Sequence, residues 1–557
     1  MEEIVHPLRL VSARRVITMT AADTAGAADG SGPQALVCLG ERIVAVGGRE
    51  ELAARFPGAA HVDYGDGVIV PGLNDAHMHP SMVAEDALHL DLSPDMVASP
   101  EALAAALHAQ AARTPQGAWI RASRYDHTKT TGGRVIDRRD LDEICPDHPV
   151  LVIHIACHWA VANSAALAAG GLTDDSADPP GGGLGRDPAG HLNGILYEQA
   201  LFDYAVASMA HGGAPVVPES GPDDRRRALG QVLTSFNAAG ITSAGDLLAG
   251  PTDIEMYQAA QRHGPLPVRL NLMVAYPHLD ALRRLGLRSG FGDARLRFNG
   301  IKAFVDGAIG GGTALLAEPY EGRPHDHGQQ VIGNRELGDL VRAVHAADTR
   351  IAVHANGDQA IRLLLDAYEQ AHDTYPRPHL RHRIEHCTVV TDDIVRRIKR
   401  LDAVVVPFGS YVGFHGDKLP GWYGEQRLER MFAHRWLLDA GITVAGASDY
   451  PCAPFEPLLG IQSCVTRTTA DGEVLGGGQR ITAREALWLY TVGAAEASDE
   501  AAVKGRLAPG YLADFTVLGD DPLTVAPHTI AAVPVLATWV GGEQVWSSDT
   551  SHPGGPR

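Results

Sequence analysis

The sequence predicts a (β/α)₈ barrel, with a small flanking β-sandwich built from both chain ends and a large insertion after the first strand. Eight short apolar, β-branched runs recur along the chain, each ending in polar or glycine residues. Helical patterns such as ELGDLVRAVHAAD, AIRLLLDAYEQAH and RLERMFAHRWLLDAG separate the later runs. Strands alternating with helices imply parallel βα units, and eight such units imply a closed barrel.

In order, the strand candidates are GVIVPGLNDAHMHP (67–80), GITSAGDLL (240–248), VRLNLMVAY (268–276), NGIKAFVDG (299–307), RIAVHANGD (350–358), RHRIEHCTVV (381–390), DAVVVPFGS (402–410) and ITVAGASDYP (442–451). Their polar residues gather at the C-terminal ends, where barrels of this type carry their chemistry. The roughly 160 residues between the first and second runs are too many for one βα unit. They contain AWIRASRYDHTK, PVLVIHIACHWAVANSAAL and GGGLGRDPAGHLNG, and form the expected substrate-covering insertion, 90–235, within a barrel spanning 70–499. The ends read differently. Short strand patterns at 8–17 and 35–47 flank an Ala/Gly/Asp loop at 20–33, and two more lie at 511–518 and 534–546. Neither end makes a stable sheet alone, so 1–69 and 500–549 are expected to combine into one β-domain, leaving 550–557 as a tail.

Composition narrows the function. Of the 557 residues 45% are hydrophobic, enough for a sizeable core, while 62 glycines and 35 prolines indicate many loops. The 47 Lys and Arg against 67 Asp and Glu give a formal charge of −20, a surface that repels nucleic acid. Six scattered cysteines without a CxxC argue against a disulfide framework or a thiolate zinc site. The acidic start lacks an apolar signal region, and no run reaches membrane-span length. These features lead to the expectation of a soluble, cytoplasmic enzyme that acts on a small molecule and assembles as a homodimer.

The chemistry begins at His77-Met78-His79. Strand side chains alternate faces, so both imidazoles enter the barrel mouth side by side. An isolated HxH is more often a pair of packed histidines. Here four further candidate ligands follow at later strand ends: Lys302 on strand four, His354 on five, His386 on six and Asp449 on eight. Imidazole and carboxylate donors suit zinc and its first-row neighbours.

Taken together, VPGLNDAHMHP, IKAFVDGAIGGGTALL, VHANGD, RIEHC, AGASDYP and KGRLAPGYLADFTVL resemble the amidohydrolase superfamily, specifically its amidohydrolase-3 or YtcJ-like branch, which includes N-substituted formamide deformylases. RYDHTK, HWAVANSAAL and GGGLGRDPAGHLNGIL in the insertion resemble it too, so the likeness runs from about 35 to 545. The resemblance implies two zinc ions, one held by His77, His79 and Asp449 and the other by His354 and His386. It implies that Lys302, carboxylated by CO₂, bridges them, since a carbamate supplies two oxygens where an ammonium supplies none. It also implies hydrolysis of an amide-type C–N bond by a metal-bridging hydroxide, a pair of metals lowering the pKa of water from ~15.7 toward ~7. Asp449 would act as general base and then acid.

Other residues carry weaker expectations. Glu385 should face away from His386 and stay outside the ligand set, and Asp246 and Asp358 read as structural. His158, Asp126 and Trp422 are candidate substrate contacts, with His127, Arg186 and Tyr423 as lesser ones; packing accounts for each equally simply. The family's usual Gln-Pro after strand seven reads Val406-Pro407 here. Two other readings stay open. A deaminase or another cyclic amide or ester hydrolase of the superfamily is one, although deaminases carry Glu where this chain has Gly357. A metal-free regulatory relative is the other, although such relatives lack several of the six ligands.

Overall fold

The structure is a computed structural model that describes residues 7–21 and 32–548; the expected tail and most of the expected 20–33 loop lie outside the described residues. Seven parallel strands form the barrel: β1 (Leu73–Met78), β2 (Ile241–Ala249), β3 (Arg269–Ala275), β4 (Leu296–Phe304), β5 (Ile351–Ala355), β6 (Arg383–His386) and β7 (Val404–Val406), paired in sequence order. They are buried along nearly their whole length because helices cover the outer face, as parallel sheets require. The main core packs the outward strand residues Ile301, Val353 and Ile384 against Val341, Leu364 and Ile398 of the covering helices.

The expected eighth strand is the one element of the barrel that departs from the sequence reading. Residues 442–449 occupy the gap between β7 and β1 but pair only through isolated bridges, Val405 with Val444 and Phe408 with Ala447. The reason lies in where its amides go. The Gly446 N–H donates to the Leu489 carbonyl (2.9 Å) and the Ser448 N–H to the Asp75 carboxylate, so two ladder donors are diverted. Closure still occurs: Ala76 N–H donates to Gly446 O (3.1 Å) and Asp449 N–H to His77 O (2.8 Å).

The first apolar run also serves two bodies. Val68–Pro71 pairs antiparallel with Phe515–Leu518 in a five-stranded sheet, and the chain crosses into the barrel at Gly72. A Cβ on Gly72 would lie 2.2 Å from Thr242 Oγ1, so only glycine allows the crossing. A four-stranded sheet drawn from residues 8–63 packs on the five-stranded one, burying Val11, Leu36, Ile69, Phe515 and Trp539 together. Both chain ends thus contribute to one sandwich. Between β1 and β2 the insertion builds its own six-stranded sheet, from Leu90–Asp91 to Leu192–Glu198. Among the described residues no helix is long and apolar enough to cross a membrane.

Candidate metal centre

Alternation on β1 sends Asp75, His77 and, just beyond it, His79 to the barrel interior. Asp75 accepts from the His77 amide (3.1 Å) and the Ser448 amide (3.1 Å), tying β1 to the closing segment. That tie brings Asp449 over the two histidines. Its Oδ1 lies 3.2 Å from His77 Nε2 and 3.1 Å from His79 Nε2. The opposite nitrogen of His77, Nδ1, meets Glu385 Oε2 at 2.6 Å, and Glu385 is in turn gripped by Arg383 at 2.7 and 2.8 Å. Glu385 therefore does not face away from the site, contrary to expectation. His386 has φ 69°, in the left-handed region, so strand alternation stops there and consecutive residues 385 and 386 both turn inward. Asp449 also departs from extended geometry, at φ 58°.

On the other side of the mouth the His354 and His386 rings are 4.6 Å apart, and His386 is 4.8 Å from His77. His354 Nε2 is engaged with Gly307 O (3.0 Å) and Asn356 Nδ2 (2.9 Å), which leaves Nδ1 for the centre. Phe408 stacks on His386 at 4.2 Å and holds its plane. Lys302 Nζ is fully buried with no hydrogen-bond partner, close over the Phe304 ring. His77, His79, Lys302, His354, His386 and Asp449 all line one cavity. The ligand atoms of His77, His386 and Asp449 alone lie within 4.8 Å of one another.

Burial sets the protonation of this group. It lowers the pKa of His79, and well lowers those of His354 and His386, keeping the imidazoles neutral as metal ligation requires. It lowers Lys302 to about 8. For Asp449 burial pushes upward, but the His77 and His386 rings outweigh it and hold the carboxyl well below the usual range. A desolvated, unpartnered amine among buried imidazoles and an ionised carboxylate fits a centre that holds a divalent cation. His77, His386 and Asp449 are the tightest group of donors for such an ion.

The expected substrate contacts separate. His158 lines the cavity 5.0 Å from the His354 ring, its Nδ1 held 2.7 Å from Glu198 Oε2. Burial pulls the His158 pKa down, yet the Glu198 carboxylate overrides it and raises the pKa. Asp126 caps the turn at 127–130 through the Thr128 and Lys129 amides and pairs with Lys418. Trp422 packs against Gly312 and Tyr320 beneath Arg323, and is absent from the walls of both cavities at the centre. Of the lesser candidates, His127 hydrogen-bonds His154 and Arg186 ties loop carbonyls at the surface. Asp246 accepts from Tyr257 and Asp358 from the Ala317 amide.

Sequence reasoning missed Glu385, Glu198 and Asp306. Asp306 is buried, accepts the Asn356, Gly357 and Leu315 amides, and stands 3.6 Å from His354 Nε2; burial raises it to about 7. Its place four residues after Lys302, on the same face of the run, was a usable signal. Glu198 carried none: it sits at φ 50°, ψ −118° where the insertion sheet ends.

The geometry agrees with comparisons to known proteins. A model described as "Amidohydrolase family" matches residues 60–546, and one described as an imidazolonepropionase-like composite domain of bacteria matches residues 35–59. The putative amidohydrolase YtcJ of Bacillus subtilis is 30% identical over 90% of this chain and 94% of its own. The N-substituted formamide deformylase of Arthrobacter pascens is 29% identical over 91% and 94%. An uncharacterized metal-dependent hydrolase from Pyrococcus furiosus superposes with a TM-score of 0.70 at 25% identity, covering 93% of this chain and all of that one. With this fold, this ligand set and a family match over most of its length, the chain belongs to the amidohydrolase family.

Proposed function

We propose that the protein hydrolyses an amide-type C–N bond in a small molecule, with N-substituted formamides as the favoured class, releasing an amine and formate. The observation that carries the reading is the convergence of six ligand-type side chains on one cavity, with the Lys302 amine buried and unpartnered among them. Divalent ions at this centre, zinc by the donor set, would activate water and polarise the scissile carbonyl. Carboxylation of Lys302 would turn its orphaned amine into an anionic bridge. The formamide assignment draws support from the deformylase relative.

The chain's own residues divide the remaining work. Asp449, ionised and at hydrogen-bond distance from two imidazoles, takes the proton of the attacking water and hands it to the leaving nitrogen. His158, steadied by Glu198, faces the substrate carbonyl and donates to the oxygen that gains charge. A deaminase fits poorly. A Cβ at Gly357 would lie 1.8 Å from the Leu315 carbonyl oxygen, so the backbone there has no room for glutamate.

The test is a screen of purified protein against formamides, acyl-amino acids, hydantoins and lactones, scoring released amine or acid. Turnover of formamides above the other classes supports the assignment; turnover confined to lactones or hydantoins overturns it.

A further inference from the structure

A second cleft, partly open to solvent, lies between the insertion and the barrel loops and shares His158, His354 and Asp449 with the centre. Besides those three residues, its lining is apolar at Ile155, Ala308, Ile309 and Phe408 and polar at His154, His415 and Lys418. A substrate that extends from the centre into this cleft meets a hydrogen-bonding wall made by His415 and Lys418.

That wall has a defined chemistry. His415 Nε2 lies 2.9 Å from the Cys452 carbonyl, so it carries the hydrogen, and Nδ1 is a bare acceptor. His415 is only 5% exposed, and its Nδ1 has no partner. Lys418 Nζ donates to Asp126 Oδ2 at 2.6 Å and keeps two further N–H bonds. Asp126 neutralises its charge, and Lys129 directs its own ammonium to the Phe414 carbonyl and ring. Asp126, His127 and His154 also bring ligand atoms within 4.8 Å of one another, but Lys418 already sits on the carboxylate. Both His154 nitrogens are engaged as well, by the Ala156 amide and by His127, so the cluster is closed to a metal.

We propose that the His415 and Lys418 wall of this cleft is a specificity site for a neutral group presenting an acceptor and a donor side by side, of the carboxamide type, on the amine arm of the substrate. The carbonyl accepts from Lys418 and the N–H donates to His415. A carboxylate meets the His415 lone pair and the Asp126 charge, and a methyl leaves both polar atoms unpaired. The proposal rests on the amide-hydrolase reading above.

The experiment compares N-formyl amines with arms of equal length ending in carboxamide, carboxylate or methyl, measuring kcat/KM, alongside calorimetric binding of the corresponding product amines. The carboxamide should exceed both others by about tenfold, the worth of one well-made hydrogen bond in a desolvated site. His415→Phe should bring the carboxamide close to the methyl compound. Preference for carboxylate, equal rates for all three heads, or a ranking unmoved in His415→Phe overturns the proposal. If that variant does not fold, the wild-type ranking decides. The product amines rank the heads without turnover, so absence of formamide hydrolysis counts against the proposed function and leaves the specificity site to be judged by binding.

Discussion

Glu385 Oε2 stands 2.6 Å from His77 Nδ1, and this contact decides which nitrogen of His77 faces the centre. With Nδ1–H given to the carboxylate, the Nε2 lone pair, 3.2 Å from Asp449 Oδ1, is free to bind a cation beside that carboxylate. Partners of this kind orient a ligand and raise its basicity, and their loss typically costs 10–100-fold in metal affinity. Glu385→Gln should therefore weaken metal retention by that order in a chelator competition, with the fold preserved by circular dichroism. Unchanged retention would mean that His77 needs no orienting carboxylate.

Ligands and substrate contacts should separate on substitution. His77→Ala and His354→Ala should each lose metal together with turnover. His158→Ala should keep its metal and lose rate, because it lines the cavity held by Glu198 and lies outside the donor group of His77, His386 and Asp449. A fully metallated, active His354→Ala enzyme would remove that residue from the set.

Lys302 offers a chemical test. Lys302→Ala should be nearly inactive and partly restored by short carboxylates such as acetate, which occupy the place of the carbamate. Lys302→Arg should not be restored, since guanidinium stays cationic.

Carboxylation of Lys302 also has a pH dependence. Only the neutral amine reacts with CO₂, and burial lowers the Lys302 pKa to about 8, so the neutral fraction grows as pH rises toward that value. Reactivation of metal-free enzyme by zinc at fixed CO₂ should accelerate as pH rises toward about 8 and level off above it. A rate that falls with pH, or ignores CO₂, would contradict the bridge.

Asp449→Asn keeps the shape and one ligating oxygen but cannot take a proton. Metal content should stay near wild type while kcat falls at least ~10²-fold, the scale of general acid–base catalysis. A variant within a few-fold of wild type would send the proton elsewhere.

The barrel was legible because its buried strands read as apolar runs ending in polar residues, and His77, His79, His354, His386 and Asp449 stand at such ends, with Lys302 two residues inside the end of its strand. What escaped were places where backbone regularity fails. Glu385 was misread because alternation was carried one residue too far, through the left-handed His386. The closing segment 442–449 has strand composition, but Gly446 and Ser448 give their amides to Leu489 and Asp75, and no local pattern announces those partners. Glu198 and Lys418 come from distant segments, so only the assembled fold brings them to His158 and Asp126.

The most direct measurement is metal content against activity on one preparation, by elemental analysis of enzyme purified without chelator and titrated with zinc. Six ligands exceed what one four-coordinate ion uses. Activity should therefore rise with zinc up to about two ions per chain and end there. Full activity at a reproducible value near one, with no gain from further zinc, would contradict the two-ion centre.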